Sequence, residues 1–266
     1  MSMMQHIDLN RIYNENCIET LRRMPDDFLD MTLTSPPYDD LRVYNGYELP
    51  VKAITRLLFA RTKPGGVVVW VVADRTVDGS ETLTSFGHAF AFREAGFRLH
   101  DTMIYAKNNP IPSDCGRRYR QAFEYIFCFS KGTPKTFNPI TQPVAAKQKA
   151  FKSFRITKTG RNDLAHDHTP PKERKVNNIF HYNVGSASAT DKVAFEHPAI
   201  FPESLARDQI LTWTNPGDLV YDPFLGSGTT AKIAEQLNRN WLASEISAEY
   251  YGIAMDRLCG STSISC

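Results

Sequence analysis

The chain has 266 residues, of which 42% are hydrophobic and 23% are charged, and its formal net charge is +2. This is the composition of an ordinary soluble globular protein, and the apolar run GGVVVWVVAD is too short to cross a membrane. The five cysteines form no CxxC pair, which argues against a disulfide framework or a zinc site, and the N-terminus lacks the pattern of a signal peptide. We therefore expect a cytoplasmic protein with reduced thiols, no bound metal and no membrane partner.

Strands and helices alternate along the first half of the chain. The segments RIYN, CIETLRRM and FLDMTLT predict strand, helix and strand, and LPVKAITRLLFARTKPGG predicts an amphipathic helix ended by Pro-Gly-Gly. VVVWVVAD is typical of a strand buried on both faces, and TSFGHAFAFREAGF predicts a helix that closes at Gly96. No helix separates the next two β-rich runs, RLHDTMIYAK and AFEYIFCFSK, so we expect an antiparallel hairpin at the sheet edge.

Regular patterning fades between residues 133 and 195, which we interpret as a variable insertion rather than a core element. Nine basic and three acidic residues lie between Lys147 and Lys175, so this block carries a charge of about +6. A positive block on a nearly neutral protein is typical of a polyanion-binding surface, but charge runs are also common in solvated loops. Both interpretations stay open at this point.

Alternation returns in the last third of the chain. HPAIFPESLARDQILTWT, GTTAKIAEQLN and SAEYYGIAMDRL predict helices, and DLVYDPF and NWLASEI predict the strands between them. The pattern at both ends of the chain indicates an α/β fold with a doubly wound, mostly parallel sheet and an antiparallel edge hairpin. Residues 1–132 and 196–258 would be two halves of one domain, 133–195 its insertion, and 259–266 a tail.

A strand that ends in Ser35-Pro36-Pro37-Tyr38 is unusual. Prolines lack a backbone donor and fix φ, so they stop the strand. They would also hold a hydroxyl, a free carbonyl and an aromatic ring in a rigid arrangement at its tip.

A glycine turn follows the strand DLVYDPF. The run Asp222-Pro-Phe-Leu-Gly226-Ser-Gly228 opens a helix, and such a turn lets a ligand approach the backbone closely at the helix N-terminus. Glu245 ends the next strand 19 residues after Gly226, where an acid suits the two hydroxyls of a ribose. The turn is not a nucleoside-triphosphate loop, because no Gly-x-x-x-x-Gly-Lys-Ser/Thr run exists in the chain.

The two motifs together, TSPPY at 34–38 and DPFLGSGTT at 222–230, resemble those of the beta-class amino-DNA methyltransferases in identity and in order. KPGGVVVWV, EYIFCFSKG and HPAIFPESLARDQI fit the same resemblance, which covers roughly residues 9–258. The resemblance implies a Rossmann-like methyltransferase fold, S-adenosyl-L-methionine as cofactor and a target-recognition role for residues 133–195. It implies double-stranded DNA as substrate and a bacterial, archaeal or phage source, with a cognate restriction endonuclease as a candidate partner and a monomeric or homodimeric state.

The resemblance also implies roles for individual residues. The Ser35 hydroxyl and the Pro36 carbonyl, held by Pro37, would accept hydrogen bonds from an exocyclic amine of a flipped base, on which Tyr38 would stack. Asn16 stands where the family usually has the acid of a Gly-Asp-Cys run, although its amide oxygen can still accept a hydrogen bond. The expected cofactor-binding residues are Asn16, Cys17, Thr34, Pro202, Ser204, Asp222, Pro223, Phe224, Gly226, Ser227, Gly228, Thr229, Glu245 and Ile246. The expected nucleic-acid contacts are Arg117, Arg118, Arg120, Lys152, Arg155, Lys158 and Arg161.

The residue before the two prolines indicates which atom of the base is methylated. No Cys follows a Pro in the chain, which excludes the usual carbon-5 mechanism on cytosine. In the family a first-position Ser such as Ser35 usually accompanies cytosine N4, and Asp or Asn accompanies adenine N6, so we expect N4 with N6 as the alternative. A non-catalytic DNA-binding homologue, or an enzyme that methylates RNA or protein glutamine, are further alternatives.

Overall fold

The computed structural model describes residues 7–37, 49–110, 116–144, 151–157, 160–168, 171–185 and 201–259, with the backbone alone for 151–157 and 160–168. The chain forms two compact units. The described residues up to Asn138 and from Asn178 onward make up the first unit, and Pro139–Asn177 makes up the second.

Six helices lie in the described chain: α1 (Cys17–Arg23), α2 (Val51–Arg61), α3 (Thr84–Ala95), α4 (Glu203–Trp213), α5 (Thr229–Gln236) and α6 (Ala248–Cys259). The described strands up to the second unit are β1 (Arg11–Tyr13), β2 (Leu29–Thr34), β3 (Thr62–Val72), β4 (Thr76–Val77), β5 (Ser80–Glu81), β6 (Arg98–Lys107) and β7 (Phe123–Ser130). The second unit contains β8 (Thr141–Pro143), β9 (Phe151–Thr157), β10 (Gly160–His168) and β11 (Glu173–Lys175). The first unit resumes with β12 (Ile179–Tyr182), β13 (Leu219–Asp222) and β14 (Asn240–Ser244).

Eight strands form the main sheet of the first unit, in the order β1-β14-β13-β2-β3-β7-β6-β12. Only β7 runs antiparallel to its neighbours, β3 and β6. Successive residues of β3 face opposite sides, so Val69 and Val71 lie in one buried cluster while Val68 and Trp70 lie in the other. Helices α4, α5 and α6 pack in the first cluster and α1, α2 and α3 in the second, which confirms the doubly wound α/β prediction.

The predicted β6–β7 hairpin forms, but it does not lie at the sheet edge. β12 pairs parallel with β6 and continues the sheet by one strand. Tyr182 is buried there, tilted against Tyr105 at 5.7 Å between ring centroids, and its hydroxyl donates to Asp208 Oδ2 at 2.7 Å. The prediction that this stretch holds no core element is therefore wrong for residues 179–182.

The second unit carries part of the predicted basic block. β8 pairs with β11 and β9 with β10, both antiparallel. Lys152 and Arg155 lie on β9 and Arg161 on β10, while Lys158 lies outside the described residues. The insertion at 133–195 stays a prediction in its bounds.

The Pro-Gly-Gly run after α2 belongs to a strand rather than to the helix end. α2 ends at Arg61, and β3 already begins at Thr62. A Cβ on Gly66 would lie 2.7 Å from Thr62 Cγ2 and 3.0 Å from the Asp30 carbonyl oxygen, so glycine lets β2 and β3 approach here.

The cysteines differ in state. Cys17 and Cys128 are free and buried, and burial raises the pKa of both thiols. Cys259 is disulfide-bonded, so the expectation of reduced thiols is wrong for this residue.

Within the described residues, no helix is both long and apolar enough to span a membrane. In that same part of the chain, no three His, Cys, Asp or Glu side chains are grouped so that they could hold a metal ion.

A buried carboxylate, Asp30, ties the amino-terminal ends of neighbouring strands together. It accepts hydrogen bonds from Lys63 Nζ at 2.7 Å, Lys135 Nζ at 2.5 Å and the Leu219 N–H at 2.9 Å. Burial acts to raise its pKa, but these donors outweigh burial and the pKa lies below the usual value of 3.8. The stabilisation is therefore complete above that usual value and is lost as the pH falls through the lower folded-state pKa.

Replacing Asp30 by Ala should lower the free energy of unfolding by about 1–3 kcal/mol, because the buried Leu219 N–H loses its acceptor. Urea unfolding at neutral pH measures this difference. Asp26→Ala is the matched control, since Asp26 is exposed and pairs with Arg61. Equal losses for the two variants would contradict the role given to Asp30.

Candidate active site

A cleft of about 530 Å³, open mouth included, lies at the carboxyl ends of the central strands. This is the sheet position expected of a ligand site in an open α/β fold. Five stretches of the described chain line it, and their residues are Glu15, Asn16 and Cys17; Pro37; Leu49, Pro50 and Ile54; Pro223 and Phe224; and Glu245 and Ile246.

The glycine turn after β13 directly follows Pro223 and Phe224, which line the cleft. Gly226 has φ +56° and Gly228 has φ +88°. Residues other than glycine rarely adopt this left-handed backbone region. A Cβ on Gly228 would also come within 3.3 Å of the Ala254 Cβ on α6. The sequence therefore places glycine where the backbone must turn sharply and pack closely, directly before α5 begins at Thr229.

Glu245, just after β14, fixes the turn from the opposite side. It is 3% exposed, and its Oε2 accepts the Gly226 N–H at 2.8 Å while its Oε1 accepts the Ser247 N–H at 2.8 Å. Burial raises its pKa. Each carboxylate oxygen keeps a second lone pair, so the side chain can also accept hydrogen bonds from a ligand's hydroxyls in the cleft.

Asp222 joins the two sequence motifs. Its Oδ1 accepts the Thr34 hydroxyl at 2.6 Å and the Phe224 N–H at 3.0 Å. Burial raises the pKa of Asp222 to about 6, although hydrogen bonds from the side chains of Thr230 and Thr34 and from the Phe224 N–H act in the opposite direction. Thr34 and Asp222 are both buried and do not line the cleft, so they support the site rather than its ligand.

Phe224 enters the cleft from a buried aromatic group. Its ring stands edge-on to Trp70, with 6.0 Å between centroids, and the Trp70 indole N–H donates to His88 Nδ1 at 3.1 Å. Trp70 is fully buried and also meets Phe92 edge-on. The packing of β3 against α3 thereby sets the position of a ring that a ligand in the cleft would touch.

Asn16, the residue that departs from the family pattern, lines the cleft at the start of α1. Asn16 caps α1, with its Oδ1 accepting the Ile18 N–H at 2.9 Å, and burial raises the pKa of the Cys17 thiol to about 12. The nearest acid in this wall is Glu15, which accepts the Thr20 hydroxyl at 2.5 Å and pairs with Arg23. The chain therefore has a carboxylate in this wall one position earlier than the family pattern predicts.

The end of β2 presents two unused acceptors. Ser35 is half-buried, Pro36 is buried, and Pro37 lines the cleft, whereas Tyr38 lies outside the described residues. Within the described residues, neither the Ser35 hydroxyl nor the Pro36 carbonyl takes part in a hydrogen bond. An acceptor pair at a rigid strand end, next to a ligand cleft, is suited to binding an amino group.

Comparison with known proteins shows which family the chain belongs to. The sequence profile described as DNA methylase matches residues 29–256 of the chain. The orphan methyltransferase M.BamHII of Bacillus amyloliquefaciens is 50% identical over 238 residues, which are 86% of this chain and 88% of that protein. The chain belongs to the DNA methylase family. The resemblance to the amino-DNA methyltransferases is thereby confirmed.

Solved structures show the same fold. The PvuII DNA methyltransferase (cytosine-N4-specific) matches this methylase with a TM-score of 0.69 at 23% identity, over 92% of this chain and 85% of that one. The M1.HpyAVI–SAM complex matches with a TM-score of 0.61 at 23% identity, over 93% of this chain and 98% of that one. At such identity the likeness carries the fold alone, which is Rossmann-like.

The helix before β13 supports the methylase's glycine turn through a buried network of charged side chains. Ser204 is exposed and Pro202 caps α4, and neither lines the cleft. Glu203 between them is buried, and its Oε1 accepts Arg257 Nη2 at 2.7 Å and Lys232 Nζ at 2.7 Å. In turn, Arg257 Nη1 donates to the Ser227 carbonyl at 2.9 Å and to Thr229 Oγ1 at 2.8 Å. Ser227 and Thr229 thus face this buried network.

Sequence reasoning also missed Leu49, Pro50 and Ile54, which lie at the start of α2 and line the cleft. Their place in the cleft could have been predicted from the sequence. The helix that follows a parallel strand begins at the carboxyl edge of the sheet, where the glycine turn also lies.

The arginines expected to contact nucleic acid divide into two groups. Arg117 and Arg120 are exposed. Arg118 contacts the β4–β5 hairpin instead, donating to the Gly79 carbonyl and lying 3.7 Å from Glu81. A phosphate contact by Arg118 would have to compete with these partners.

Replacing Thr34 by Val removes the hydroxyl that Asp222 accepts and keeps the shape of the side chain. Because hydrogen bonds to charged groups are worth about 1.5–3 kcal/mol, we expect a loss of that size in unfolding free energy. Affinity for S-adenosylmethionine should fall about tenfold, since Asp222 also holds the Phe224 N–H. Urea unfolding and calorimetric titration measure the two effects, and Thr34→Ser should restore both.

The same variant tests the titration of Asp222. Its pKa is about 6 in the folded protein, so affinity for S-adenosylmethionine should weaken as the pH falls through that value. Loss of the Thr34 hydroxyl raises this pKa, and the midpoint should move to higher pH in Thr34→Val. Glu245 titrates in both proteins, so the difference between them reports on Asp222. A midpoint that does not move would contradict the proposed link.

Proposed function

We propose that this methylase transfers a methyl group from S-adenosyl-L-methionine to the exocyclic N4 of cytosine in double-stranded DNA. The alternative acceptor is the exocyclic N6 of adenine, and the same acceptor pair serves both amines. The single observation that carries the proposal is a pair of acceptors, the Ser35 hydroxyl and the Pro36 carbonyl, that accept no hydrogen bond within the described residues and stand directly before Pro37, which lines the cleft.

The acceptor pair answers the chemical difficulty of the reaction. The lone pair of an exocyclic amine is delocalised into the base, which makes the nitrogen a poor nucleophile. Two acceptors on its N–H bonds favour a tetrahedral nitrogen and localise the lone pair. Pro36 and Pro37 fix the backbone, so the acceptors need no reorganisation during the reaction.

The residues of the cleft fit the methyl donor. Phe224 and Ile246 offer apolar contact for its base and its methionine part, Glu245 has free lone pairs for ribose hydroxyls, and the glycine turn leaves room for the backbone to approach. When bound, S-adenosylmethionine supplies an electrophilic methyl group on its sulfonium. Asn16 and Glu15 line the cleft and provide oxygens that would face the amino group of its adenine.

We prefer cytosine over adenine because the residue directly before the two prolines of the motif is a serine, Ser35. The fold match to a protein called cytosine-N4-specific agrees with this preference. The proposal does not require a cognate restriction endonuclease, because the relative M.BamHII is called an orphan methyltransferase. DNA lies in the cytoplasm of a bacterium such as that relative's source, and we expect this protein to act there.

The target base must leave the duplex to reach the Ser35 hydroxyl, because its amine is otherwise paired inside the helix. We assign recognition of the surrounding sequence to the second unit, whose strands β9 and β10 carry Lys152, Arg155 and Arg161. The exposed Arg117 and Arg120 are suited to hold phosphates.

Nucleoside mass spectrometry tests the acceptor atom. Bacterial DNA incubated with the protein and a labelled methyl donor should contain labelled N4-methylcytosine. In Ser35→Ala the rate should fall by about 10²–10³-fold with unchanged affinity for the methyl donor, as when one preorganised hydrogen-bonding partner is removed. Label only in N6-methyladenine would overturn the target assignment. A full rate in Ser35→Ala would overturn the mechanism, and donor binding without any transfer would favour a non-catalytic homologue.

Glu245 should be needed for binding of the methyl donor. Gln at this position brings N–H groups toward the Gly226 or Ser247 N–H and loses charge, so we expect affinity to fall by about ten- to hundredfold. Calorimetric titration measures the affinity. Glu249→Gln is the matched control, since Glu249 is exposed on α6. A folded Glu245→Gln protein that binds as tightly as the control would remove Glu245 from the site.

A further inference from the structure

A fully exposed aromatic ring stands among arginines on the segment that leads into β7. Tyr119 is 101% exposed, and Arg117 and Arg120 on either side of it are exposed too. Residues 116–120 contain three arginines and no acid. Exposure of one ring is unremarkable by itself, so its position on the sheet decides what it can do.

The segment lies at the same end of the sheet as Ser35. β2 and β3 are parallel with Thr34 opposite Trp70, and β7 is antiparallel to β3 with Trp70 opposite Phe127. The start of β7 therefore extends past the carboxyl end of β2, two strands away, which is about 10 Å to the side. Residues 116–122 leave the sheet at the edge where the acceptor pair lies.

The segment is tied to the rest of the unit through Arg118. Arg118 donates to the Gly79 carbonyl and faces Glu81, so it fastens the segment to the β4–β5 hairpin that follows β3. Its neighbours on both sides are left pointing to solvent. An uncharged ring with the exposed guanidinium groups of Arg117 and Arg120 close to it in sequence has the chemistry of a site for stacked bases between phosphates.

We propose that Tyr119 inserts into the DNA base stack at the place that the target base leaves, while Arg117 and Arg120 hold the flanking phosphates. This inference rests on the proposed function, because only an enzyme that extrudes its target base creates that gap. Extrusion removes stacking on both sides of the base. An aromatic ring in the gap restores part of the stacking and stabilises the extruded state.

The test uses DNA sites that the wild-type protein itself methylates, mapped by sequencing its product DNA. Short duplexes carry such a site with the target base either correctly paired or mismatched. Single-turnover methylation at saturating duplex should be about tenfold slower for Tyr119→Ala on the paired duplex. On the mismatched duplex the two proteins should agree within about twofold, because a mismatched base costs less to extrude. Tyr119→Phe should behave as wild type on both.

Two further measurements separate the possible causes. Phe90→Ala is the matched control, since Phe90 is 72% exposed on α3 and should leave all rates unchanged. Thermal unfolding of Tyr119→Ala should match wild type, because the ring is fully exposed. An equal loss on paired and mismatched duplexes, or no loss on either, would overturn the inference while leaving the proposed function intact. A wild-type protein that methylates no DNA would overturn both.

Discussion

One hydrogen bond, from the Thr34 hydroxyl to Asp222, joins the two halves of the active site. The partners are 188 residues apart in sequence and meet because β2 and β13 are neighbours in the sheet. Asp222 also accepts the Phe224 N–H, so one carboxylate fixes both the strand that ends in Ser35-Pro36 and the turn that carries the glycines. Acceptor geometry and cofactor geometry therefore depend on the same buried group.

Two buried carboxylates shape the turn before any ligand arrives. Asp222 and Glu245 both have pKa values raised by burial, and each accepts backbone N–H groups of the turn or of its flanks. Desolvating a carboxylate is costly, and these N–H groups offset part of the cost only in the observed conformation. The network of Glu203 and Arg257 holds the far side of the turn. The turn is thereby preorganised, which reduces the ordering needed on binding.

Local patterns were readable from the sequence, and non-local ones were not. The alternation of strands and helices, the glycine turn and the position of Glu245 follow from periodicity and spacing within short stretches. Strand β12 was missed because IFHY is only four residues long and its partner β6 lies more than seventy residues earlier. The link between Thr34 and Asp222 is hidden from local patterns for the same reason, because the two residues are 188 positions apart.

The site separates groups that titrate from the two groups that we propose hold the amine. The Ser35 hydroxyl and the Pro36 carbonyl accept hydrogen bonds without changing charge near neutral pH. Asp222, with a pKa of about 6, does not line the cleft and is hydrogen-bonded to the Thr34 hydroxyl and to the N–H of Phe224, which does. A pH dependence of methyl transfer in this range would then reflect the stability of the turn rather than protonation of the acceptor pair. Catalysis that relies on positioning two neutral acceptors requires a rigid strand end, and the two prolines after Ser35 provide it.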